Sequence, residues 1–345
     1  MGLHNRVSNR ILKEKLHSSP QDRTTVSFYK YVRIDDPVSW RDQLYLDLSS
    51  LETLGRIYIA KEGVNAQISI PSTRMDDLRN YLDSTEFLQG VRLNIAIEDN
   101  GRSFFKLKIL VRKKIVADGL DDESFDATKS GPHLDAREFN RLADDPNTII
   151  VDMRNHYESE VGHFKNALLP DVDTFREELA VVEDLLASEK DKTILMYCTG
   201  GIRCEKASAW VKHKGFRDVY QLHGGIIEYT RQVKAQGLEN KFIGKNFVFD
   251  ERLGERITDD IISVCHQCGA PCDDHTNCRN DGCHLLFIQC RKCAENYNHC
   301  CSEACMNVIQ LPEEQQRELR RGINKGRQVY RKGRSEKIIH KTPKS

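Results

Sequence analysis

In the middle of the chain, short apolar segments alternate with segments of helical spacing. Nearly continuous apolar runs occur at TIIVDMR, TILMYC and DVYQLHGG, and helical spacing occurs between them at LDAREFNRLADD, TFREELAVVEDLLAS and RCEKASAWVKHKG. Strands that are apolar on both faces and joined by helices are typical of a parallel sheet covered on both sides. The sequence therefore predicts an α/β domain, to which we assign residues 127–241.

The first third of the chain has a different order of elements. A strand pattern at residues 24–34 is followed by helical spacing after Pro37, by two strand patterns that flank the turn KEGVN, and by a second helix with Ser72 as its expected N-cap. Strand patterns at residues 91–99 and 104–112 then complete a β-α-β-β-α-β order with one strand more. We assign residues 1–126 to a ferredoxin-like, or acylphosphatase-like, α+β domain.

The length of the chain indicates several domains, and its charge distribution indicates a basic C-terminal end. A chain of 345 residues exceeds what one hydrophobic core usually holds. The formal net charge is zero, yet residues 317–345 contain eleven Lys and Arg against two acids, so this end carries +9 and the remainder −9. Because the end is polar and contains several glycines, we expect residues 313–345 to form a disordered basic tail.

The expected compartment is the cytoplasm. No run of about 18 apolar residues exists, and the N-terminal sequence lacks the apolar segment of a secretory signal. We therefore expect a soluble, cytoplasmic protein with no membrane partner. In that reducing compartment, the twelve cysteines favour metal ligands, a reactive thiol and buried small side chains over disulfides.

The candidate reactive group is Cys198, which ends the apolar run TILMYC. The segment MYCTGGIRCEKA turns from this strand into a helix, so backbone N–H groups and the positive end of the helix dipole surround the sulfur. Together with the guanidinium of Arg203, they should favour the thiolate. The alternative is a buried strand-end cysteine beside a plain turn, but the Cys-x4-Arg spacing favours a nucleophile. The predicted anion-binding loop contains Thr199, Gly200, Gly201 and Ile202.

Cys204 is a candidate second thiol that would form a disulfide with Cys198. On the predicted helix, however, Cys204 shares a face with Ala207, Ser208 and Val211, and this face is expected to pack on the sheet. Free cysteine is commonly a small buried side chain. We therefore favour packing over a redox role for Cys204.

The region 242–312 is rich in cysteine. Pairs with Cys-x2-Cys spacing that lie about twenty residues apart can share a tetrahedral ion, and eight ligands would serve two zinc ions and leave two cysteines over. Zinc is favoured because so short and polar a segment has too small a hydrophobic core to fold without a bound metal ion or another cross-link. An iron–sulfur cluster, unmetallated thiols and a redox metal that activates dioxygen are the alternatives. The candidate ligands are Cys265, Cys268, Cys272, Cys278, Cys283, Cys290, Cys293, Cys300, Cys301 and Cys305, with His266, His275, His284 and His299 as substitutes.

Three segments resemble the rhodanese domain. VDMRNHYESEVGHF, MYCTGGIRCEKA and QLHGGIIEY are similar, in order and spacing, to the strand end, the active-site loop and the Gly-Gly segment of that domain. The loop cysteine of the rhodanese fold carries a persulfide. The resemblance therefore implies that Cys198 bears the persulfide and that Thr199 to Arg203 form the loop around it.

Further segments extend the resemblance over residues 4 to about 310. Together with RTTVSFYKY, KEGVNAQIS, FIGKNFVFDERLGERI and CHQCGAPCDDHTNCRNDGCHLLFIQC, nearly the whole chain resembles the bacterial rhodanese-domain tRNA uridine hydroxylases. Those enzymes use dioxygen to make 5-hydroxyuridine at the wobble position of tRNA. The resemblance implies a partner site for the tRNA anticodon region, O2 as co-substrate with a reductant not yet identified, and catalysis by Cys198 and Arg203.

Two other classes of function compete with hydroxylation. A persulfide-based sulfurtransferase acting on tRNA or a carrier would use the same Cys198 loop, but would need a sulfur donor and no dioxygen. A non-enzymatic zinc protein would bind RNA without Cys198. Because the sequence contains no Gly-x-Gly-x-x-Gly fingerprint, Walker loop or facial His/carboxylate triad, we predict no flavin, nicotinamide or non-haem iron.

Basic residues are the candidate RNA contacts. Lys and Arg side chains of the tail can neutralise phosphates. The turn KEGVN lies within the segments that carry the resemblance, and the resemblance implies that this turn lies near the Cys198 loop. The alternatives are a solvated disordered end and a purely structural turn. The candidate RNA-binding residues are Lys61, Asn65, Arg317, Arg320, Arg321, Lys325, Arg327, Arg331, Lys332 and Arg334.

Overall fold

The computed structural model describes residues 7, 9–18, 21–120, 126, 128–322, 335 and 338–340. Within these residues, no helix has the length and apolar character needed to cross a bilayer. In chain order, the elements are α1 (Asn9–Ser18), β1 (Arg23–Tyr31), α2 (Pro37–Ser50), β2 (Leu54–Ala60), β3 (Gly63–Pro71), α3 (Met75–Ser84), β4 (Asn94–Ile95), β5 (Leu107–Val111), β6 (His133–Leu134), α4 (Ala136–Ala143), β7 (Thr148–Asp152), α5 (His156–Ser159), β8 (Gly162–Phe164), α6 (Phe175–Leu185), β9 (Thr193–Tyr197), α7 (Ile202–His213), β10 (Val219–Leu222), α8 (Gly225–Gln236), β11 (Phe242–Asn246), β12 (Glu255–Arg256), β13 (His275–Asn277), β14 (Leu286–Ile288), α9 (Arg291–Asn296), α10 (Glu303–Ile309) and α11 (Glu313–Arg320).

The chain forms two compact units, each made of separate segments. The first unit contains residues 1–148, 190–239 and 249–252, and the second contains residues 149–189, 240–248 and 253–345. This division differs from the predicted bounds of 127–241 for the α/β domain. The segment from β7 to α6 belongs to the same unit as the cysteine-rich region, whereas β6, β9 and β10 belong to the first unit.

The N-terminal part of the first unit is a five-stranded sheet in the order β4-β1-β3-β2-β5. Strand β3 pairs antiparallel with both β1 and β2, and β5 pairs parallel to β2. Buried side chains of β1 and β2, such as Phe28 and Ile57, pack against Leu44 and Leu48 of α2 and against Leu78 of α3. The predicted ferredoxin-like order is confirmed, and β5 is the additional strand.

The starts of α2 and α3 differ in their capping. Asp36 accepts hydrogen bonds from the backbone N–H groups of Val38 and Ser39, so α2 has a side-chain N-cap. The prediction of Ser72 as the N-cap of the second helix is wrong. Residues 72–74 form a separate 3-10 turn, and α3 itself begins at Met75 without a side-chain cap.

The first unit also contains the parallel strands that lead to the candidate reactive group. Strand β10 lies between β6 and β9 and is parallel to both. The side chains of β9 from Ile194 to Tyr197 are completely buried, as the continuous apolar pattern predicts for a strand covered on both faces. Cys198 follows β9 directly, and α7 begins four residues later.

The second unit contains short antiparallel pairs. Strand β11 pairs with β8 and β12, and β13 forms a hairpin with β14. At the end of β7, the buried side chains of Asp152 and Arg154 form an ion pair of 2.7 Å, and Arg154 also donates to the carbonyl of Gly162. Two apolar cores contain cysteines of the C-terminal region, one with Tyr157 and the other with Phe287.

The prediction of a disordered tail from residue 313 is wrong for the first part of that tail. Residues Glu313–Arg320 form α11, which has acidic residues in its first turn, basic residues in its last turn and an i,i+4 ion pair between Arg317 and Glu313 of 2.6 Å. Near the end of the chain, Ile338 is buried in the core around Phe287, and the N–H of His340 donates to the carbonyl of His266.

Candidate active site

The loop after β9 places the Cys198 sulfur at the N-terminal end of α7. The backbone N–H of Gly201 donates a hydrogen bond to this sulfur at 3.1 Å, and the N–H groups of Arg203 and Cys204 also bond to it. Gly201 has a φ of +102°, which favours glycine. The predicted arrangement of N–H donors around a cysteine sulfur is therefore present.

Glycine is required where other elements approach this loop. A Cβ on Gly201 would lie 2.7 Å from the hydroxyl oxygen of Tyr29. A Cβ on Gly225, the first residue of α8, would lie 2.4 Å from the carbonyl oxygen of Cys198, and that carbonyl accepts from the N–H of Ile226 at 3.0 Å. The loop is thus fixed from two sides by neighbours that leave no room for a side chain.

The environment of Cys198 favours the thiolate. Its side chain is completely buried, and burial by itself raises the pKa of a thiol. A hydrogen bond from the Cys204 thiol, the charge of Arg203 and the backbone N–H groups outweigh burial and lower the pKa of Cys198 to about 6. Most of this thiol is therefore ionised at neutral pH, and the thiolate is the nucleophilic form.

Cys204 packs as predicted and also forms a hydrogen bond with the Cys198 sulfur, which the sequence did not predict. It is completely buried, as the predicted face of the helix requires. Burial, the hydrogen bond to Cys198 and the negative charge of Cys198 raise the pKa of Cys204, so this thiol keeps its proton and donates a hydrogen bond to the Cys198 sulfur. Both cysteines are free in this structure, and a disulfide between them stays the less favoured alternative.

Side chains of the ferredoxin-like sheet contact the loop. The Tyr31 hydroxyl donates to the carbonyl oxygen of Ile202 at 3.2 Å, and Asn94 Nδ2 donates to the carbonyl oxygen of Gly200, also at 3.2 Å. The hydroxyl of Tyr29 lies against the neighbouring glycine. None of these three residues was predicted to be functional, because the segments RTTVSFYKY and VRLNIAIED show only strand patterns.

Glu205 is a further residue that sequence analysis missed. Its carboxylate accepts hydrogen bonds from the Tyr29 hydroxyl at 3.1 Å and from Gln221 Nε2 at 3.0 Å. The carboxylate also contacts His133 Nε2 at 2.9 Å. Burial raises the pKa of Glu205, but the hydrogen bond and charge of His133 and the bond from Gln221 prevail and lower it. A carboxylate therefore lies in the first turn of α7, one turn from the reactive loop.

Arg92 provides positive charge beside the same loop. Its Nε donates to Asn94 Oδ1 at 2.9 Å, and its guanidinium forms an ion pair with Glu228 at 2.8 Å. It also contacts the ring of His223 at 2.7 Å. Partial burial and the charge of Arg92 lower the pKa of His223, so this imidazole is neutral at physiological pH.

The turn KEGVN contacts α7 through Glu62. The Glu62 carboxylate lies 2.9 Å from Lys206 Nζ, and this almost fully buried ammonium also pairs with the buried carboxylate of Asp118. The Asn65 amide donates to a backbone carbonyl at 3.3 Å. The turn therefore lies beside α7, the helix that follows the Cys198 loop, and RNA binding by Lys61 and Asn65 stays a prediction.

The cysteine-rich region brings eight sulfurs into two groups of four. In each group, all four sulfurs lie within 4.8 Å of one another. Cys268 and Cys290 of the first group are 3.7 Å apart, as are Cys283 and Cys301 of the second. Both groups could hold a metal ion. We define cluster 1 as Cys265, Cys268, Cys290 and Cys293, and cluster 2 as Cys278, Cys283, Cys301 and Cys305.

Two cysteines of the region belong to neither cluster. These are Cys272 and Cys300, so eight of the ten cysteines lie in groups that could hold two ions, and their role as metal ligands stays a prediction. The four histidines named as substitute ligands are absent from both clusters, which were identified among the described residues. The buried imidazole of His266 instead contacts Glu160 at 2.9 Å through Nε2 and accepts the N–H of Ile288 through Nδ1.

Comparison with known proteins identifies the family. Residues 23–115 match the family described as UPF0176 acylphosphatase like domain, residues 135–232 match Rhodanese-like domain and residues 243–306 match Rhodanase C-terminal. The tRNA uridine(34) hydroxylase of Pectobacterium carotovorum subsp. carotovorum is 57% identical over 333 residues, which cover 96% of this chain and 94% of that protein. The chain belongs to the tRNA uridine(34) hydroxylase family.

Other members of this family have a similar level of identity. The tRNA uridine(34) hydroxylase of Pectobacterium atrosepticum is 58% identical, with 96% of this chain and 94% of that protein covered. The protein of the same name from Enterobacter sp. is 56% identical, with coverage of 96% and 95%. The rhodanese-like match at 135–232 contains the complete loop from Cys198 to Arg203. The loop whose geometry is described above therefore lies within the matched domain.

For this member of the hydroxylase family, the candidate RNA-binding residues lie in different places. Arg317 and Arg320 lie on α11, where they pair with Glu313 and Asp281, and Arg321 follows that helix. The other tail residues are outside the described residues, and their RNA contacts stay a prediction. These are Lys325, Arg327, Arg331, Lys332 and Arg334.

Proposed function

We propose that this chain hydroxylates C5 of uridine 34 in tRNA, with dioxygen as the oxidant and Cys198 as the catalytic nucleophile. The observation that carries the proposal is a thiol of pKa about 6 in a loop of backbone donors, within a chain that matches the named hydroxylases over 96% of its length. In the overall reaction, uridine, O2, two electrons and two protons give 5-hydroxyuridine and water. A separate two-electron donor supplies the electrons.

The thiolate makes C5 of uracil reactive. Addition of the Cys198 sulfur, or of its persulfide, to C6 gives an enolate with negative charge on C5 and O4. Oxygen can then attach to C5, which is otherwise a poor nucleophile. The charge of Arg203 and the N–H groups of the loop can stabilise the negative charge that develops in these steps.

A 5-fluorouridine at position 34 of tRNA tests the covalent step. Addition to C6 does not need the hydrogen at C5, whereas release of the product does, so fluorine should prolong the adduct. We expect a protein–tRNA complex that survives a denaturing gel for the wild type and is absent for Cys198→Ser. Equal amounts of complex with both proteins, or none with the wild type, would contradict addition by Cys198.

We infer that the two cysteine clusters hold structural zinc. Four sulfurs at about 2.3 Å from one ion in a tetrahedron are roughly 3.8 Å apart, and the separations of 3.7 Å within both clusters fit this geometry. A four-iron cluster lies between its cysteine sulfurs and keeps them farther apart. All-sulfur ligation leaves no open position for dioxygen, which supports a structural role.

We also propose that the basic tail contacts tRNA phosphates. Replacing Lys325, Arg327, Arg331, Lys332 and Arg334 by glutamine should weaken tRNA binding and reduce the slope of log K against log salt by about 0.7 to 0.9 for each lost phosphate contact. Replacing the three arginines by lysine is the matched control, because it preserves charge and should preserve the slope. Unchanged binding and slope in the glutamine variant would refute the contact.

A further inference from the structure

A hydrogen-bond chain joins solvent to the Cys198 loop through Glu205. His133 Nε2 lies 2.9 Å from Glu205 Oε1, and the His133 side chain is 39% exposed. The same carboxylate oxygen accepts from the Tyr29 hydroxyl at 3.1 Å. Tyr29 lies against Gly201, whose N–H bonds to the Cys198 sulfur. The chain therefore connects an exposed imidazole with a phenol that borders the reactive loop.

The surroundings determine which of these groups carry protons. Burial, followed by the negative charge of Glu205 and then that of Cys198, raises the pKa of Tyr29, so the phenol stays protonated at neutral pH. The hydrogen bond and charge of His133 outweigh burial and lower the pKa of Glu205, so it is a carboxylate. The resting pair is thus a phenol that donates to a carboxylate. Such a pair can accept a proton on the phenol oxygen and pass the original proton onward.

The hydroxylation requires a group with this ability. A hydrogen at C5 is replaced by a hydroxyl group, so the C5 proton must leave after oxygen has attached. The loop itself supplies donors of hydrogen bonds, namely N–H groups, a thiol and a guanidinium, and none of these accepts a proton at neutral pH. The partly exposed Tyr29, with Glu205 behind it, is an acceptor system that lies against Gly201 of the loop, whereas the neutral imidazole of His223 contacts Arg92.

We propose that Tyr29 removes the C5 proton of the target uridine while its own proton moves to Glu205. The assignment rests on the proposed function, in which Cys198 is bound to C6. The C5–H bond breaks, and its electron pair forms the C5=C6 double bond. The C6–S bond breaks, and its electron pair returns to sulfur as the thiolate. The step consumes no oxidant or reductant, and the exposed His133 lets the proton on Glu205 exchange with solvent.

Tyr31 offers a matched control on the same strand. Its ring centroid is 6.2 Å from that of Tyr29, and its hydroxyl also reaches the loop, where it donates to the carbonyl oxygen of Ile202. Removing the Tyr31 hydroxyl tests the loss of one hydrogen bond at this surface. Removing the Tyr29 hydroxyl tests the same loss together with loss of the proton acceptor.

The experiment is a single-turnover reaction of the full chain with unmodified tRNA in air. We expect Tyr29→Phe to form 5-hydroxyuridine about 100-fold more slowly than wild type and to accumulate a protein–tRNA adduct on denaturing gels. Glu205→Gln, which keeps an oxygen acceptor for Tyr29 but removes the base, should behave in the same way. Tyr31→Phe, which removes only a hydrogen bond to the loop, should lose less of the rate than Tyr29→Phe and should accumulate no adduct.

Three results would overturn this role. Product formation by Tyr29→Phe at the wild-type rate would show that its hydroxyl is not needed. Slow product formation without adduct, in both Tyr29→Phe and Glu205→Gln, would place their effect before proton removal. Equal losses in Tyr29→Phe and Tyr31→Phe would indicate a structural effect. A wild type that makes no 5-hydroxyuridine would instead refute the proposed function and this role with it.

Discussion

Replacing Cys198 by serine should lower the rate of 5-hydroxyuridine formation by about 10³-fold or more, which corresponds to at least ~4 kcal/mol of transition-state stabilisation. Serine is close to isosteric and keeps the loop intact, but its hydroxyl does not ionise near neutral pH. The N–H groups and Arg203, which stabilise a thiolate of pKa about 6, would then surround a neutral group. The measurement is single-turnover product formation with saturating tRNA.

Cys204→Ser is the matched control for this prediction. Cys204 is also completely buried and contacts the Cys198 sulfur, and serine at this position can still donate a hydrogen bond. We expect its rate to stay within about tenfold of wild type. Affinity for tRNA should be unchanged in both variants. A Cys198→Ser protein that hydroxylates at the wild-type rate would remove this cysteine from the mechanism.

The second large effect is expected at the cysteine clusters. Cys268→Ser removes a sulfur of cluster 1, and Cys283→Ser removes one of cluster 2. Each variant should lose one of two zinc ions per chain and unfold the surrounding region, because structural zinc binding contributes about 10–16 kcal/mol in small domains. Elemental analysis of the purified proteins measures the metal, and limited proteolysis measures the unfolding.

The chain contains its own controls for the clusters. Cys272 and Cys300 are buried cysteines of the same region that belong to neither cluster. Cys272→Ser and Cys300→Ser should therefore retain two zinc ions and resist the protease as the wild type does. Iron and sulfide in the wild type would contradict zinc. Loss of metal from the two control variants would contradict the assignment of ligands.

The part of the site that the sequence predicted is local. The apolar run of β9, the glycines and the arginine lie within a few residues of Cys198, so their pattern indicates a strand, a turn with donors and a helix start. Tyr29 and Glu205 are separated by 176 residues, and Asn94 and Gly200 by 106. Such contacts depend on how sheets and helices pack against one another, and the periodicity of apolar residues in the sequence does not predict them.

The cysteine pairing shows a similar limit. Spacing predicted that eight of ten cysteines would bind two ions, but the ligands of the two clusters alternate in pairs along the chain. Hairpin β13–β14 lies between the two halves of cluster 1, and residues 265 and 290 meet because the His266 N–H donates to the carbonyl of Ile288 and the Cys290 N–H donates to the Cys265 sulfur. The helix α11 was missed for another reason, since its low apolar content resembles a disordered segment while its charge pairs stabilise it.

The central claim is that oxygen from O2 enters uridine 34 and that Cys198 is needed for this. The most direct test is mass spectrometry of nucleosides from unmodified tRNA after reaction with the purified protein and a two-electron donor under oxygen-18 gas. We predict a uridine that carries one oxygen-18 atom with the wild type, no product under argon and none with Cys198→Ser. Oxygen derived from water, or a uridine that gains sulfur when a sulfur donor is supplied, would contradict the account.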